Sequence, residues 1–427
     1  MRLGLPSPAL LPALLATAAV PPPALAEDKP PGAEEVLVAL YRSGDLFDPR
    51  KSDAVRAAFT RLFEERHAQD IKEAYGDDHA KLAAWLDARP QVKQKFYTAL
   101  DERYDRVPEA LRLFKEVWRQ FPKEVEAYDD LAVALAVTWD DERHGVYDYT
   151  GHQRRTKSVL PGERIDALGN FRYLVENEEA TEGRVKLLPW EFLTFVIDHR
   201  TPLSERAWAQ EYYRSSRGRV QSWHRDVPYD DDMLKGEKTK DPRFQPRLKD
   251  REYTLANVHK YGGVCTHQAD FACRVAKSVG IPAVYCFGES SYRGLHAWWM
   301  FVQVQGTARD RVRFALVSDG RIAGFLKDQF YTGFVTDPQS GRRILDRDME
   351  RRLKVTGLDP AGKRHADLLM RAYPWLGERM GFSAAAKVDY LDRVLRVSKY
   401  NGDAWQELAR MVRDGELGPR HKRAVLA

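Results

Sequence analysis

The chain has 427 residues, enough for two or three domains, and its 43% apolar content is that of a globular protein rather than a disordered one. Lysine and arginine exceed aspartate and glutamate by 68 − 63 = 5. Removing residues 1–26, whose one charge is Arg2, leaves +4, too mild an excess to point to a nucleic-acid or anionic-membrane partner.

Met1-Arg2 makes a short positive start. Leu3 to Val20 is apolar but broken by Pro6, Pro8 and Pro12, and Ala24-Leu25-Ala26 offers a small-residue cleavage site. Residues 1–26 therefore read as a signal peptide, and export to the periplasm or beyond is expected. No later stretch is long and apolar enough to cross a bilayer, so stable membrane insertion is not expected.

Residues 27–143 form a helical region. Leu111, Phe114, Val117, Trp118 and Phe121 recur at helical spacing up to Pro122. Ala127, Tyr128, Leu131, Ala132 and Leu135 make a second stripe. The pair resembles a tetratricopeptide-type hairpin, and the spacing returns at Leu391, Val394 and Leu395, then Ala404, Trp405, Leu408 and Ala409. Two units so far apart do not make an array, because solenoids need about three stacked neighbours. Generic helical hairpins explain the pattern as well as a peptide-binding surface does.

A second helical region covers 144–230. Residues 140–163 are polar, with the basic pair Arg154-Arg155, and are expected to be a loop. Helices follow through Leu168 to Val175, through Pro189 to Ile197, and from the cap pair Thr201-Pro202 through Trp208 to Tyr213. Residues 224–252 are charged and read as a solvated loop bordering a cleft. Asp230-Asp231-Asp232 lacks the spaced oxygen ligands of a calcium loop.

Residues 231–345 form the expected core region. Gly262-Gly263-Val264-Cys265 opens a helix with Ala269, Phe271, Ala272, Val275, Ala276 and Val279 toward one side. Gly280 and Pro282 stop it. Ala283 to Phe287 and Leu295 to Val304 read as strands, the second apolar on both faces. His296 stands at its start. Val312 to Ser318 is a third strand, ending at Asp319. A thiol is a strong nucleophile only as thiolate, and a helix N-terminus favours negative charge. Cys265 sits there, beside backbone N–H groups that can hold an oxyanion. The glycine pair removes side chains that would block a substrate backbone. His296 is the candidate base.

The stretch GGVCTHQADFACRVAKSVGIPA, the triplet His296-Ala297-Trp298 and Asp319 after a strand resemble the transglutaminase-like superfamily, a papain-like cysteine fold. Gly280-Ile281-Pro282-Ala283 matches the family turn residue by residue. The likeness covers residues 250–345. It implies an α+β core, a helix on an antiparallel sheet, and a triad of Cys265, His296 and Asp319. The family usually shows an aspartate-proline pair at the acid, whereas Gly320 follows Asp319 here. Asp337-Pro338 has the pair and Asp328 lies between, so three aspartates are candidates. His259 stands six positions before Cys265, the spacing of an oxyanion-hole glutamine in papain-like proteases; a solvated loop histidine is the plainer reading.

Of three cysteines, Cys265 and Cys273 would be about 12 Å apart on one helix, too far for a bridge. Cys273 with Cys286 is feasible if the helix packs on the following strand. A C-terminal helical region, 346–427, completes the chain; Arg342 to Leu353 is expected to be an exposed helix or loop. Together these features predict an exported thiol enzyme acting on an amide or peptide bond of a peptide or protein substrate, without metal or organic cofactor. Hydrolysis is preferred over amine transfer because water is the default acceptor. The competing expectation is a binding or scaffolding protein with a degenerate core, which requires Cys265 to be buried or bridged.

Overall fold

The structure, a computed structural model, describes residues 31–290, 294–308, 311–318 and 332–418. The expected signal peptide lies outside the described residues, as do Asp319 and Asp328. Among the described residues the protein is mixed α+β, mainly helical, with a single antiparallel sheet. Its strands are β1 (Ala283–Ser290), β2 (Gly294–Ala308), β3 (Arg311–Ser318), β4 (Thr332–Thr336) and β5 (Arg343–Leu345), in the order β3-β2-β1-β4-β5.

The sheet is buried on both faces because β2 is apolar at every position from Ala297 to Val302. Side chains alternate along it. Tyr285 stands opposite Trp299 and faces a core shared with Phe271, Val275 and Trp223. Cys286 stands opposite Trp298 and faces a different core, with Phe192, Val335 and Met349. The helix Cys265–Ser278 covers the Trp299 face. The helices Trp190–Ile197 and Asp346–Leu358 cover the Trp298 face, with Phe192 edge-on to Phe314 at 5.2 Å. Gly357 permits the close approach of the second helix: a Cβ there would lie 2.7 Å from the Val312 carbonyl oxygen.

A third core joins the two ends of the described chain. Leu37, Val55 and Leu62 from the helices Ala33–Ser43 and Ser52–Arg66 pack with Leu369, Leu391 and Leu408 from the last three helices. The hairpin Val107–Gln120 with Asp129–Trp139 belongs instead to the core under the sheet. The two tetratricopeptide-like hairpins therefore sit in separate cores.

Several expected loops are ordered. Within 140–163 a short helix, Thr150–Thr156, forms because Asp148 takes both the N–H and the hydroxyl of Thr150, at 2.9 and 2.7 Å. Within 224–252 the aspartate run starts the helix Asp231–Thr239. Asp230 is its buried cap, accepting from the N–H of Met233 and of Arg247, and the next two acids favour the positive end of the helix. The charge-dense stretch after Arg342 contains β5 and then the helix Asp346–Leu358, whose Met349 and Leu353 are buried.

Candidate functional site

Cys265 is the first residue of its helix, half-buried and free. The His267 N–H of the first turn donates to the Val264 carbonyl at 2.8 Å, and the N–H groups of Cys265 and Thr266 come before any acceptor the helix can offer. The glycine pair before it is occupied by the protein itself rather than kept open for a substrate. Gly262 has φ +85°, and a Cβ there would run into the Pro228 carbonyl oxygen. At Gly263 a Cβ would lie 2.5 Å from the Cβ of His267. Pro228 to Asp230 runs beside the pair, bonded through Gly263 N–H to the Pro228 carbonyl and Asp230 N–H to the Gly263 carbonyl, each at 3.0 Å.

His267 caps the same turn. Its Nδ1 accepts from Val264 N–H at 3.1 Å and its Nε2 donates to the His152 carbonyl at 3.1 Å. Burial, foremost, holds its pKa down to about 3. A neutral imidazole with both nitrogens engaged supports structure and does not shuttle protons.

Arg155 reaches the mouth of the helix from Thr150–Thr156. Its guanidinium forks onto Glu237 at 2.6 and 2.7 Å and its Nη1 meets Thr266 Oγ1 at 3.2 Å. The bonds to Glu237 raise its pKa most, and charge on Cys265 adds to the effect. Tyr229 and Tyr285 are close enough to the sulfur to feel its charge as well. Both phenols are pushed up, by burial first and then by Cys265.

His152 lies in the same cluster, its ring 4.9 Å from that of Tyr285. Tyr147 donates its hydroxyl proton to Asp270 at 2.8 Å, so its oxygen accepts from His152 Nε2 at 3.1 Å. That assigns the proton to Nε2 and leaves Nδ1 with a lone pair. Tyr253 donates to the other oxygen of Asp270 at 3.0 Å. Burial lowers the pKa of His152. The sequence marks this group only faintly, through Arg154-Arg155 in a stretch expected to be a loop. Nothing local links positions 147, 152, 270 and 285.

His296 is half-buried in β2 opposite Gly288. Its ring stacks on Trp298 with centroids 5.9 Å apart, on the side that alternation turns away from Trp299 and the cysteine helix. It remains near that helix's layer at one edge: its charge contributes to holding His224 down to about 4, after burial and Arg225, and His224 follows Trp223, which stacks on Trp299. β3 ends at Ser318 opposite Met300, four residues along β2 from His296. Asp337 serves a turn: its Oδ2 accepts from Ser340 Oγ at 2.9 Å and from Arg352 Nη1 at 3.0 Å. His259 is no loop residue; it lies in the helix Leu255–Tyr261, its ring 5.7 Å from those of Trp208 and Phe271.

None of the three cysteines is in a disulfide. Cys273 and Cys286 face different cores, so no bridge joins them. Burial pushes the Cys273 thiol up to about 12, which makes it inert beside Cys265. No helix among the described residues is long and apolar enough to cross a membrane. The chain matches no protein-family model, no curated protein and no solved structure.

Proposed function

We propose that the protein is an exported thiol enzyme with a transglutaminase-like core, acting on an amide or peptide carbonyl. The observation that carries this is Cys265 itself: a free, partly exposed sulfur at the first position of a buried helix, with Arg155 and two tyrosines around it. The binding-only alternative needs that sulfur buried or bridged; its partial exposure and the lack of a disulfide favour the enzyme reading.

In the proposed cycle an imidazole takes the thiol proton as Sγ attacks the carbonyl carbon. The backbone N–H of Cys265 holds the oxyanion. As the C–N bond breaks, the imidazolium returns its proton to the leaving amine. Water then cleaves the thioester, releasing the acid and restoring the thiol; an amine in place of water would give transfer. His296, oriented by Asp319, is the proposed base.

His152 is the second candidate for the base. Its Tyr147–Asp270 relay orients the ring and lies on the cysteine-helix side of the sheet. Alkylation by iodoacetamide near neutral pH separates the two. A base that sets the thiolate is worth about 10²-fold or more. The triad predicts that His296→Ala slows alkylation of Cys265 by at least about tenfold while His152→Ala does not. The reverse pattern moves the base to His152. Slow labelling of the unaltered protein, at the rate of a buried thiol, would remove the enzyme reading.

A further inference from the structure

Arg155 stands at the mouth of the cysteine helix with two anions to serve. Its Nε and Nη2 fork onto Glu237 at 2.6 and 2.7 Å. Its Nη1 reaches the hydroxyl of Thr266, the residue after Cys265, at 3.2 Å. Three of its N–H bonds are thus engaged, and one hydrogen on each Nη is left over. The arginine comes from the helix Thr150–Thr156 and the glutamate from Asp231–Thr239, so the pair joins two segments that flank the sulfur. Both side chains are about one-third exposed, 35 and 34%, so a change at either reaches solvent rather than core.

The rings that face the sulfur carry no charge near neutral pH. The phenols of Tyr229, from the segment before Asp231, and of Tyr285, from β1, are pushed up by burial and then by Cys265. His267, on the cysteine helix, is held down to about 3, and burial lowers His152 as well. Charges further out are set against other groups. Asp270 is tied to Tyr147, Tyr253 and Arg274. Asp231 and Lys240, at the two ends of the glutamate's helix, act on Tyr229 and on Glu237. Arg155 is the cation that acts on Cys265, and its bond to Glu237 outweighs that action. A carboxylate and a thiolate therefore compete for one guanidinium.

We infer that Arg155 is shared between Glu237 and the Cys265 thiolate, so that Glu237, acting through Arg155, is a brake on the sulfur. The inference rests on Cys265 being the reacting thiol. While the fork is closed, Glu237 neutralises the guanidinium. When that carboxylate is removed or drawn away, the same positive charge turns to the sulfur, and the thiol gives its proton to solvent at lower pH.

The test follows alkylation of Cys265 by iodoacetamide, read by peptide mass, and records the pH at which the rate reaches half its limit. Glu237→Gln keeps the shape and removes the charge. Its midpoint should fall by about half a unit or more. Near neutral pH its rate should rise about threefold rather than more, because a more acidic thiol is also a weaker nucleophile. Arg155→Gln should raise the midpoint, and Arg155→Lys, which keeps the charge, should lie between it and the unaltered protein. In an Arg155→Gln background, Glu237→Gln should move the midpoint less than half as far as it does alone, since the group it acts through is gone. Equal shifts in the two backgrounds would mean that Glu237 acts on the sulfur directly, and would overturn the inference. So would a Glu237→Gln midpoint at or above that of the unaltered protein, a result that does not depend on whether Arg155→Gln folds. These midpoints are read whether or not an acyl-enzyme forms, so the brake and the enzyme reading fail separately.

Discussion

The imidazole of His267 is fixed from both of its nitrogens, and its burial has a consequence for stability. Its folded pKa of about 3 lies below the ordinary histidine value of 6.5, so the unfolded chain takes up the proton first. Stability from this group is complete above about pH 6.5 and drains away as pH falls toward 3. The slope approaches about 1.4 kcal/mol per pH unit in that window. His267→Gln should therefore unfold at lower urea near pH 7 yet lose less stability than the parent between pH 6 and 4. Urea titrations across that range check it; parallel curves would contradict it. The same residue explains Gly263, which makes room for its ring. The glycine pair was legible as special backbone, but sequence could not tell a substrate's approach from Pro228 and His267 filling the space. Their contacts come from residues that no local spacing connects to the pair.

At the scale of the element, the cysteine helix is buried all round from Ala269 to Ser278. Its apolar stripe, Ala269 to Val279, is what made it readable, because period 3.6 needs only one side. The other side carries Asp270, Arg274 and Lys277, each 0 or 1% exposed. Arg274 donates to Glu205 at 2.7 Å, and Lys277 pairs with Asp198. Breaking such a pair strands a buried charge and costs about 3–5 kcal/mol. Glu205→Ala should lose about that much in chemical denaturation. A loss below about 1 kcal/mol, the worth of an exposed pair, would mean that Arg274 finds water. These partners lie some seventy residues away in the chain, so the sequence shows the charges but not their burial. β1, β2 and β3 were legible from long runs of β-branched and aromatic residues. β4 and β5 are five and three residues long, too short for alternation to show.

Across the whole molecule, the two ends of the described chain close on each other through the core of Leu37, Leu369 and Leu391, while the middle builds the sheet. Chain order suggested successive regions; packing interleaves them, because helices from residues 33–66 have their apolar stripes covered by helices after 360. The helix, turn and strands from Cys265 to Ser318 stand where periodicity places them. The relation between Cys265, His152 and His296 depends on strand parity and on distant loops, which a single sequence does not encode in any nearby pattern. The proposed function stands or falls with an acyl bond to the Cys265 sulfur. Its most direct test is intact-mass and peptide-mapping spectrometry of the protein incubated with a mixture of peptide amides, beside Cys265→Ala protein. The account predicts a trapped acyl mass on Cys265, release of amine with gain of water in the products, and neither with Cys265→Ala. Turnover that survives Cys265→Ala would contradict it.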